Sequence, residues 1–344
     1  MSDNECFSIQ QITKNNKSQY IHKKTKKKIS TTSPFITKLK KTIRIPPAYK
    51  NVVINDNLDS KVLAKGEDAK GRIQYIYNPE YVKERSNEKF KELIHFSKKI
   101  HLIRKRMNKT LNEFNKTKKV TKNNLIACCL FLIDECNFRV GNTKYYDLYE
   151  SSGVTTLCPS HIKGTANHVV IEFKGKKGVH NKSIIRNKMM TELLLYLQKK
   201  NKSHDFLFFY NDENKKPVQI TEKTINYFLK SYHPTLSVKM FRTWNANVDF
   251  MLEIQDYLNN MNHKLSKDEK VKYSKKSVLE SIRKIAPDFH HSTAISRKSY
   301  LHEGLIQYIL DNPDDARKKL APIRSHKTDA SNHKNIMNIL LFVS

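Results

Sequence analysis

The chain has 344 residues, with 64 Lys and Arg against 33 Asp and Glu, a net charge of +31 at pH 7. That excess points to a polyanionic partner, above all nucleic acid, while 38% apolar content with 16 Phe and 16 Tyr excludes a disordered chain. The first twenty residues hold no apolar signal core, the longest apolar run (Leu125 to Ile133) is too short to cross a bilayer, and five irregularly spaced cysteines read as reduced intracellular thiols.

Residues 1–85 read as a small strand-rich unit. Lys23 to Lys28 form a cationic turn between short apolar segments. Ile45-Pro46-Pro47-Ala48 cannot lie inside a helix, because consecutive prolines remove two donors and fix φ. Val52 to Ile54 and Ile73 to Tyr77 read as strands. In the second, Ile73, Tyr75 and Tyr77 share one face, and Arg72, Gln74 and Ile76 the other. After Asn78-Pro79 the pattern changes to a long charged helix, with Ser86 as its N-cap, running to about Lys116. From there the chain is mainly helical, over Thr121 to Cys136, Arg186 to Lys200, Thr221 to Tyr232, Arg242 to Asn260 and Ser266 to Ile285. One β interlude interrupts it: a strand over His168 to Phe173, a tight turn at Gly175 to Gly178 and a return strand over Lys182 to Ile185. The expectation is an α+β protein, a β-rich unit at 1–85 followed by a larger, mainly helical unit at 86–344.

Four segments place cations or hydroxyls on well-supported chain. Arg139 follows directly on the buried helix, which suits a phosphate clamp. Lys174, Lys176 and Lys177 crowd the tip of the hairpin. Lys239-Met-Phe-Arg242-Thr-Trp244 stands at a helix start, and His291 precedes Tyr300 by nine residues. Taken singly each is weak: a basic hairpin tip is usually solvated, and Tyr300, heading an apolar stretch, reads on its own as core rather than nucleophile. The ordered set Arg, Lys, Lys-x-x-Arg, His, Tyr is specific. Cys158 and His161 could supply half a zinc site, but no second pair stands at ligand spacing. A P-loop is absent, since Gly175-Lys176 is followed by Lys177.

These motifs resemble the type IB DNA topoisomerases of the small poxvirus, bacterial and giant-virus group. Ile45-Pro46-Pro47-Ala48-Tyr49 with Val52 and Ile54 is similar to that family's I-P-P-A-[WY]-x-x-V-x-I, and Gly71-Arg72-x-Gln74-Tyr75-x-Tyr77 to its G-R-x-Q-Y-x-Y. Arg139-x-Gly141-Asn142-x-Lys144, the hairpin Gly175-Lys176, Lys239-x-x-Arg242-Thr243-Trp244 and His291 to Tyr300 match the catalytic segments in order. Where the family often has Asp after the hairpin lysine this chain has Lys177, which leaves the register open between Lys176 and Lys177.

The resemblance implies a C-shaped clamp around double-stranded DNA and relaxation of supercoils through a 3′-phosphotyrosyl intermediate. Tyr300 is then the nucleophile, Arg139, Arg242 and His291 donate to the scissile phosphate, and Lys176 protonates the leaving 5′-oxygen. Gln74, Tyr75 and Tyr77 correspond to DNA-contacting residues, with Lys144, Tyr145 and Lys239 as further contacts; packing beneath the sheet is the competing reading for Tyr75 and Tyr77. No cofactor, metal, nucleotide or membrane is implied, and the active form is a monomer. The Lys- and Asn-rich composition fits an A·T-rich viral genome, placing the protein with viral DNA in the virion or infected-cell cytoplasm, the nucleus being the alternative. Two rivals are weaker. A tyrosine recombinase has H-x-x-R where this chain has Lys239-x-x-Arg242, and a non-enzymatic DNA-binding protein leaves the ordered set unexplained.

Overall fold

The computed structural model describes residues 7–14, 17–262, 264–324 and 330–343. Cys6 lies outside the described residues. The chain forms two compact units, which divide between Lys89 and Phe90.

The first unit is built on a six-stranded antiparallel sheet and one helix. The strands are β1 (Ile9–Lys14), β2 (Lys17–His22), β3 (Lys28–Ile29), β4 (Lys50–Ile54), β5 (Val62–Glu67) and β6 (Ile73–Tyr77), in the spatial order β3-β2-β1-β4-β5-β6. Helix α1 (Pro34–Thr42) was not expected; Ser33 caps it by accepting from the Ile36 N–H, with Pro34 at its first turn. Ile9, Tyr20, Ile36, Leu39, Val52, Ile54 and Ala64 form the buried core. The cationic segment is an exposed turn over Lys23 to Lys27 between β2 and β3, with Lys28 opening β3. The Pro46-Pro47 segment is non-helical and closes through a Tyr49 N–H bond to the Pro46 carbonyl.

Helix α2 (Pro79–Thr117) starts seven residues before the expected Ser86 cap. Asn78 supplies the stop: its Oδ1 accepts from the Glu80 N–H at 3.0 Å, and Pro79 brings its fixed φ to the first position. Ser86 therefore lies inside the helix. From Phe90 onward a stripe of Leu93, Phe96, Ile100, Ile103, Met107, Leu111 and Phe114 repeats every three to four residues and is buried.

The second unit gathers the remaining helices around one apolar core. Helix α3 (Lys122–Glu135) is apolar nearly all round and buried, and Thr121 caps it through a reciprocal box with Asn124. After α4 (Thr143–Tyr149) comes a three-stranded antiparallel sheet of β7 (Ile162–Thr165), β8 (His168–Lys174) and β9 (His180–Ile185). The hairpin was expected, and β7 adds a third strand to it. Then follow α5 (Lys188–Lys200), a small pair β10 (Phe209–Asn211) and β11 (Pro217–Gln219), α6 (Glu222–Lys230), α7 (Lys239–Asn259) and α8 (Lys267–Ile285). Helix α7 begins three residues before the expected Arg242, so Lys239 and Arg242 are both helical. Four shorter helices end the chain: α9 (Thr293–Ser299), α10 (Glu303–Asp311), α11 (Pro313–Leu320) and α12 (Ala330–Phe342). The fold class is α+β, as expected. No helix is long and apolar enough to cross a membrane, and no group of three or more metal-ligating side chains occurs among the described residues.

Candidate active site

Arg139 leaves the C-terminal end of α3 on a loop pinned from below. The Arg139 carbonyl accepts from the Val154 N–H at 2.8 Å, and the Val140 carbonyl from the Thr155 N–H and hydroxyl at 2.7 and 2.9 Å. The pinning needs glycine twice. Gly141 has φ +89, and a Cβ on Gly153 would stand 2.5 Å from the Gly141 Cα. The two backbones touch, which fixes where the guanidinium emerges.

Lys176 sits on the turn between β8 and β9. Gly175 donates its N–H to the Val179 carbonyl at 2.7 Å, Lys177 takes a left-handed φ of 64°, and the Lys174 carbonyl receives the Ser152 N–H at 2.9 Å. The last bond ties the hairpin to the segment that also holds the Arg139 loop. Solvent reaches Lys176, yet its pKa is lowered, first by partial desolvation and then by Arg139; Tyr300 opposes the shift, and Lys177 and Lys239 add to it.

Arg242, on the first turn of α7, is 4% exposed. Its Nη2 donates to the Phe289 carbonyl at 2.8 Å and lies 2.6 Å from His291 Nε2. A guanidinium cannot accept, so His291 Nε2 is the acceptor and the imidazole is neutral. Burial first, then Arg242, Arg139 and His290, push the His291 pKa down to about 3. Burial likewise lowers Arg242 to about 10, against the favourable pull of Tyr300. Its buried Nε and Nη1 lack a well-aligned acceptor among the described residues.

Tyr300 ends α9, its N–H bonded to the Ser296 carbonyl at 3.1 Å. Its ring lies 4.3 Å from the His291 ring and 5.5 Å from the Arg242 guanidinium carbon. Its hydroxyl is within hydrogen-bonding reach of Arg139, partly offsetting the desolvation that lowers that guanidinium. Arg139, Lys176, Arg242, His291 and Tyr300, spread over 162 positions of sequence, therefore meet in one half-buried cluster in the second unit.

A residue that the sequence reading passed over brackets Tyr300. Asn247, fully buried on α7, donates to the Tyr300 carbonyl at 2.8 Å and accepts the His302 N–H at 2.9 Å. The signal available was an asparagine repeated at Asn245 and Asn247 in an otherwise apolar helix segment, where an unsatisfied amide is costly.

The other expected contact residues are exposed or bonded within their own unit. Lys239 is exposed and pairs loosely with Glu222 at 3.8 Å. Asn142 caps α4 by accepting from the Lys144 N–H at 3.0 Å, leaving Lys144 and Tyr145 exposed and Tyr145 stacked on Tyr149. In the first unit, Tyr75 and Tyr77 are 51% and 44% exposed, so packing beneath the sheet is ruled out. They continue as a row of rings to Tyr81, at 6.4 and 5.9 Å. Gln74 points to the other face, half-buried, and donates to Asp68 Oδ2 at 3.0 Å. The same carboxylate is gripped by Arg72, which holds its pKa at about 2. The Cys158 backbone N–H donates to His161 Nδ1 at 3.0 Å.

The family model for the eukaryotic DNA topoisomerase I catalytic core matches residues 78–327. The chain is 30% identical to a DNA topoisomerase 1B of Acanthamoeba polyphaga mimivirus over 79% of each chain. It is 24% identical to the DNA topoisomerase 1B of vaccinia virus (strain Copenhagen), over 78% of this chain and 80% of that one. A DNA topoisomerase 1 of Mycosarcoma maydis is 26% identical over 54% of this chain and 19% of its own length. With the matched segment spanning Arg139 to Tyr300 and most of the chain around them, this protein belongs to the type IB DNA topoisomerases of the poxvirus and giant-virus type.

Proposed function

We propose that Tyr300 is the nucleophile of this topoisomerase and that Arg139, Lys176, Arg242 and His291 complete its active site. The enzyme relaxes supercoiled DNA. The Tyr300 oxygen attacks a backbone phosphorus in line, the P–O5′ bond breaks, the phenolic proton leaves to solvent, and Lys176 protonates the departing 5′-oxygen. The lowered pKa of Lys176 helps it release that proton. Arg139 and Arg242 face the charge that gathers on the non-bridging oxygens, where one lost donor typically costs about 3–4 kcal/mol of barrier. His291 joins them as the other neutral tautomer, its proton moving from Nδ1 to Nε2, which turns the Arg242 Nη2 donor toward the phosphate. The phosphotyrosyl ester keeps the energy of the broken bond, so resealing draws on no nucleotide, and side-chain cations meet the charge without a required metal.

The observation that carries this reading is the Tyr300 phenol set among two guanidiniums, a neutral imidazole and a hairpin ammonium. Residues 1–85 serve as a DNA-binding domain through Gln74, Tyr75 and Tyr77, and 86–344 as the catalytic domain, with Lys144, Tyr145 and Lys239 on the duplex. The protein acts as a monomer on double-stranded DNA, alongside viral DNA inside the infected cell or virion.

SDS trapping on labelled duplex tests the assignment. The parent should form a covalent adduct and relax plasmid in EDTA without ATP, and Tyr300→Phe should do neither while still binding DNA. An adduct formed by Tyr300→Phe would overturn the choice of nucleophile. In the same assay Lys176→Ala should cleave more slowly than Lys177→Ala, and the reverse order would move the acid by one residue.

A further inference from the structure

Beneath the cluster lies a second set of polar side chains that the chemistry does not use. Arg104 on α2, Asp134 at the end of α3, Asn137 just beyond it, Asn245 on α7 and His333 on α12 are all between 2% and 6% exposed. Arg104 grips Asp134 with two bonds, Nε to Oδ2 at 2.7 Å and Nη2 to Oδ1 at 2.8 Å. Its Nη1 lies 3.1 Å from His333 Nε2, which must accept, and its Nη2 reaches Asn245 Oδ1 at 3.4 Å. Asn245 Nδ2 donates to the Asp134 carbonyl at 2.7 Å, to Asp134 Oδ1 at 3.2 Å and to Asn137 Oδ1 at 3.1 Å. Because a carboxylate only accepts and a guanidinium only donates, the orientation of the Asn245 amide is fixed.

Buried ion pairs add little stability over apolar packing of the same volume. What this one adds is geometry. Asn137 precedes Arg139 by two residues and holds a left-handed φ of 50°. Asn245 follows Arg242 by three, within one turn of α7. The Asn245–Asn137 bond therefore joins the loop of one catalytic guanidinium to the helix of the other. Arg104, Asp134 and His333 hold that bond in place from α2, α3 and the C-terminal helix.

We propose that Asn137 and Asn245 are positioning residues that set the spacing between the Arg139 and Arg242 guanidiniums, with the Arg104–Asp134–His333 group locking the Asn245 amide. This rests on the assignment of Arg139 and Arg242 as phosphate donors. Small displacements of such groups are expensive: a shift of about 1 Å can cost about 100-fold in rate.

Single-turnover cleavage of a duplex tests it, using Asn137→Gly, Asn245→Ala, Arg139→Ala and the double variant Asn137→Gly/Arg139→Ala. Glycine keeps the left-handed backbone and removes only the amide, so Asn137→Gly carries the test even if Asn245→Ala fails to fold. Asn137→Gly should slow cleavage about tenfold or more. Duplex affinity, read in a Tyr300→Phe background, should stay unchanged. The double variant should be no slower than Arg139→Ala alone, because a residue that acts through Arg139 has nothing left to position. Parental cleavage by Asn137→Gly, or a full additional loss in the double variant, would overturn the inference. Parental cleavage by Arg139→Ala would instead overturn the assignment beneath it.

Discussion

Among the four side chains gathered around Tyr300, His291 is the one whose charge its surroundings decide. Burial and two guanidiniums hold it neutral with a pKa of about 3, and its neighbour His290 is held at about 4 by the same causes. In an unfolded chain both take up a proton near pH 6.5. The sign follows: the folded pKa is depressed, so below about pH 6.5 the unfolded state binds more protons and stability falls toward pH 3. His291→Gln removes one of these groups. Its melting temperature should drop less than the parent's between about pH 7 and pH 4.5, with the carboxylate contributions common to both. Parallel curves would show that His291 does not meet this environment in solution. At this scale the residues that converge on Tyr300 were legible, because the ordered set Arg, Lys, Lys-x-x-Arg, His, Tyr is specific. Asn245 and Asn247 were not, because their worth lies in partners 53 to 111 positions away that no local pattern reveals.

Elements differ in how far the sequence betrays them, and the reason is burial. Helix α3 was readable from its apolar run, and α6 and α8 begin where the expected helices at Thr221 and Ser266 do, each one residue after a capping side chain. Helix α4 buries no residue at all, so it carries no periodic signal. Helices α9 to α11 are each no longer than nine residues, too short to establish a period. The loop between α3 and α4 shows what an element contributes to the site. Alanine at Gly141 would have to hold φ +89 with its Cβ 2.9 Å from Thr156 Oγ1 and 3.0 Å from the Gly153 carbonyl carbon. Gly141→Ala should lower stability by about 1–3 kcal/mol and slow cleavage as the Arg139 loop shifts. Gly71→Ala is the control, since Gly71 has φ +70 with nothing within 4 Å of its Cβ. A chemical melt in which Gly141→Ala loses no more than Gly71→Ala would mean that the contact with Gly153 relaxes freely and does not fix the loop.

For the whole molecule the governing quantity is charge. With 64 basic and 33 acidic side chains, one-to-one pairing leaves at least 31 cations without an acidic partner. Composition alone made that legible; which cations face DNA was not, because most lysines stand on the surface whatever they do there. Two kinds of cation result. Arg139, Arg242 and Lys176 are partly or wholly desolvated, and a Debye length of about 8 Å at physiological ionic strength screens such groups far less than exposed ones. Exposed lysines act on the duplex through counterion release. Salt should therefore separate binding from chemistry. If about six or more phosphates are contacted, raising salt from about 50 to 200 mM should weaken duplex binding by about 1,000-fold or more. The cleavage rate constant at saturating duplex should change far less, because of the cations proposed to meet the transition state Arg242 is buried and Arg139 half-buried. Titration of Tyr300→Phe gives the first quantity and single-turnover cleavage by the parent gives the second. A cleavage rate constant that falls as steeply with salt as affinity does would place the catalytic cations in bulk solvent and contradict the buried cluster from which the chemistry was argued.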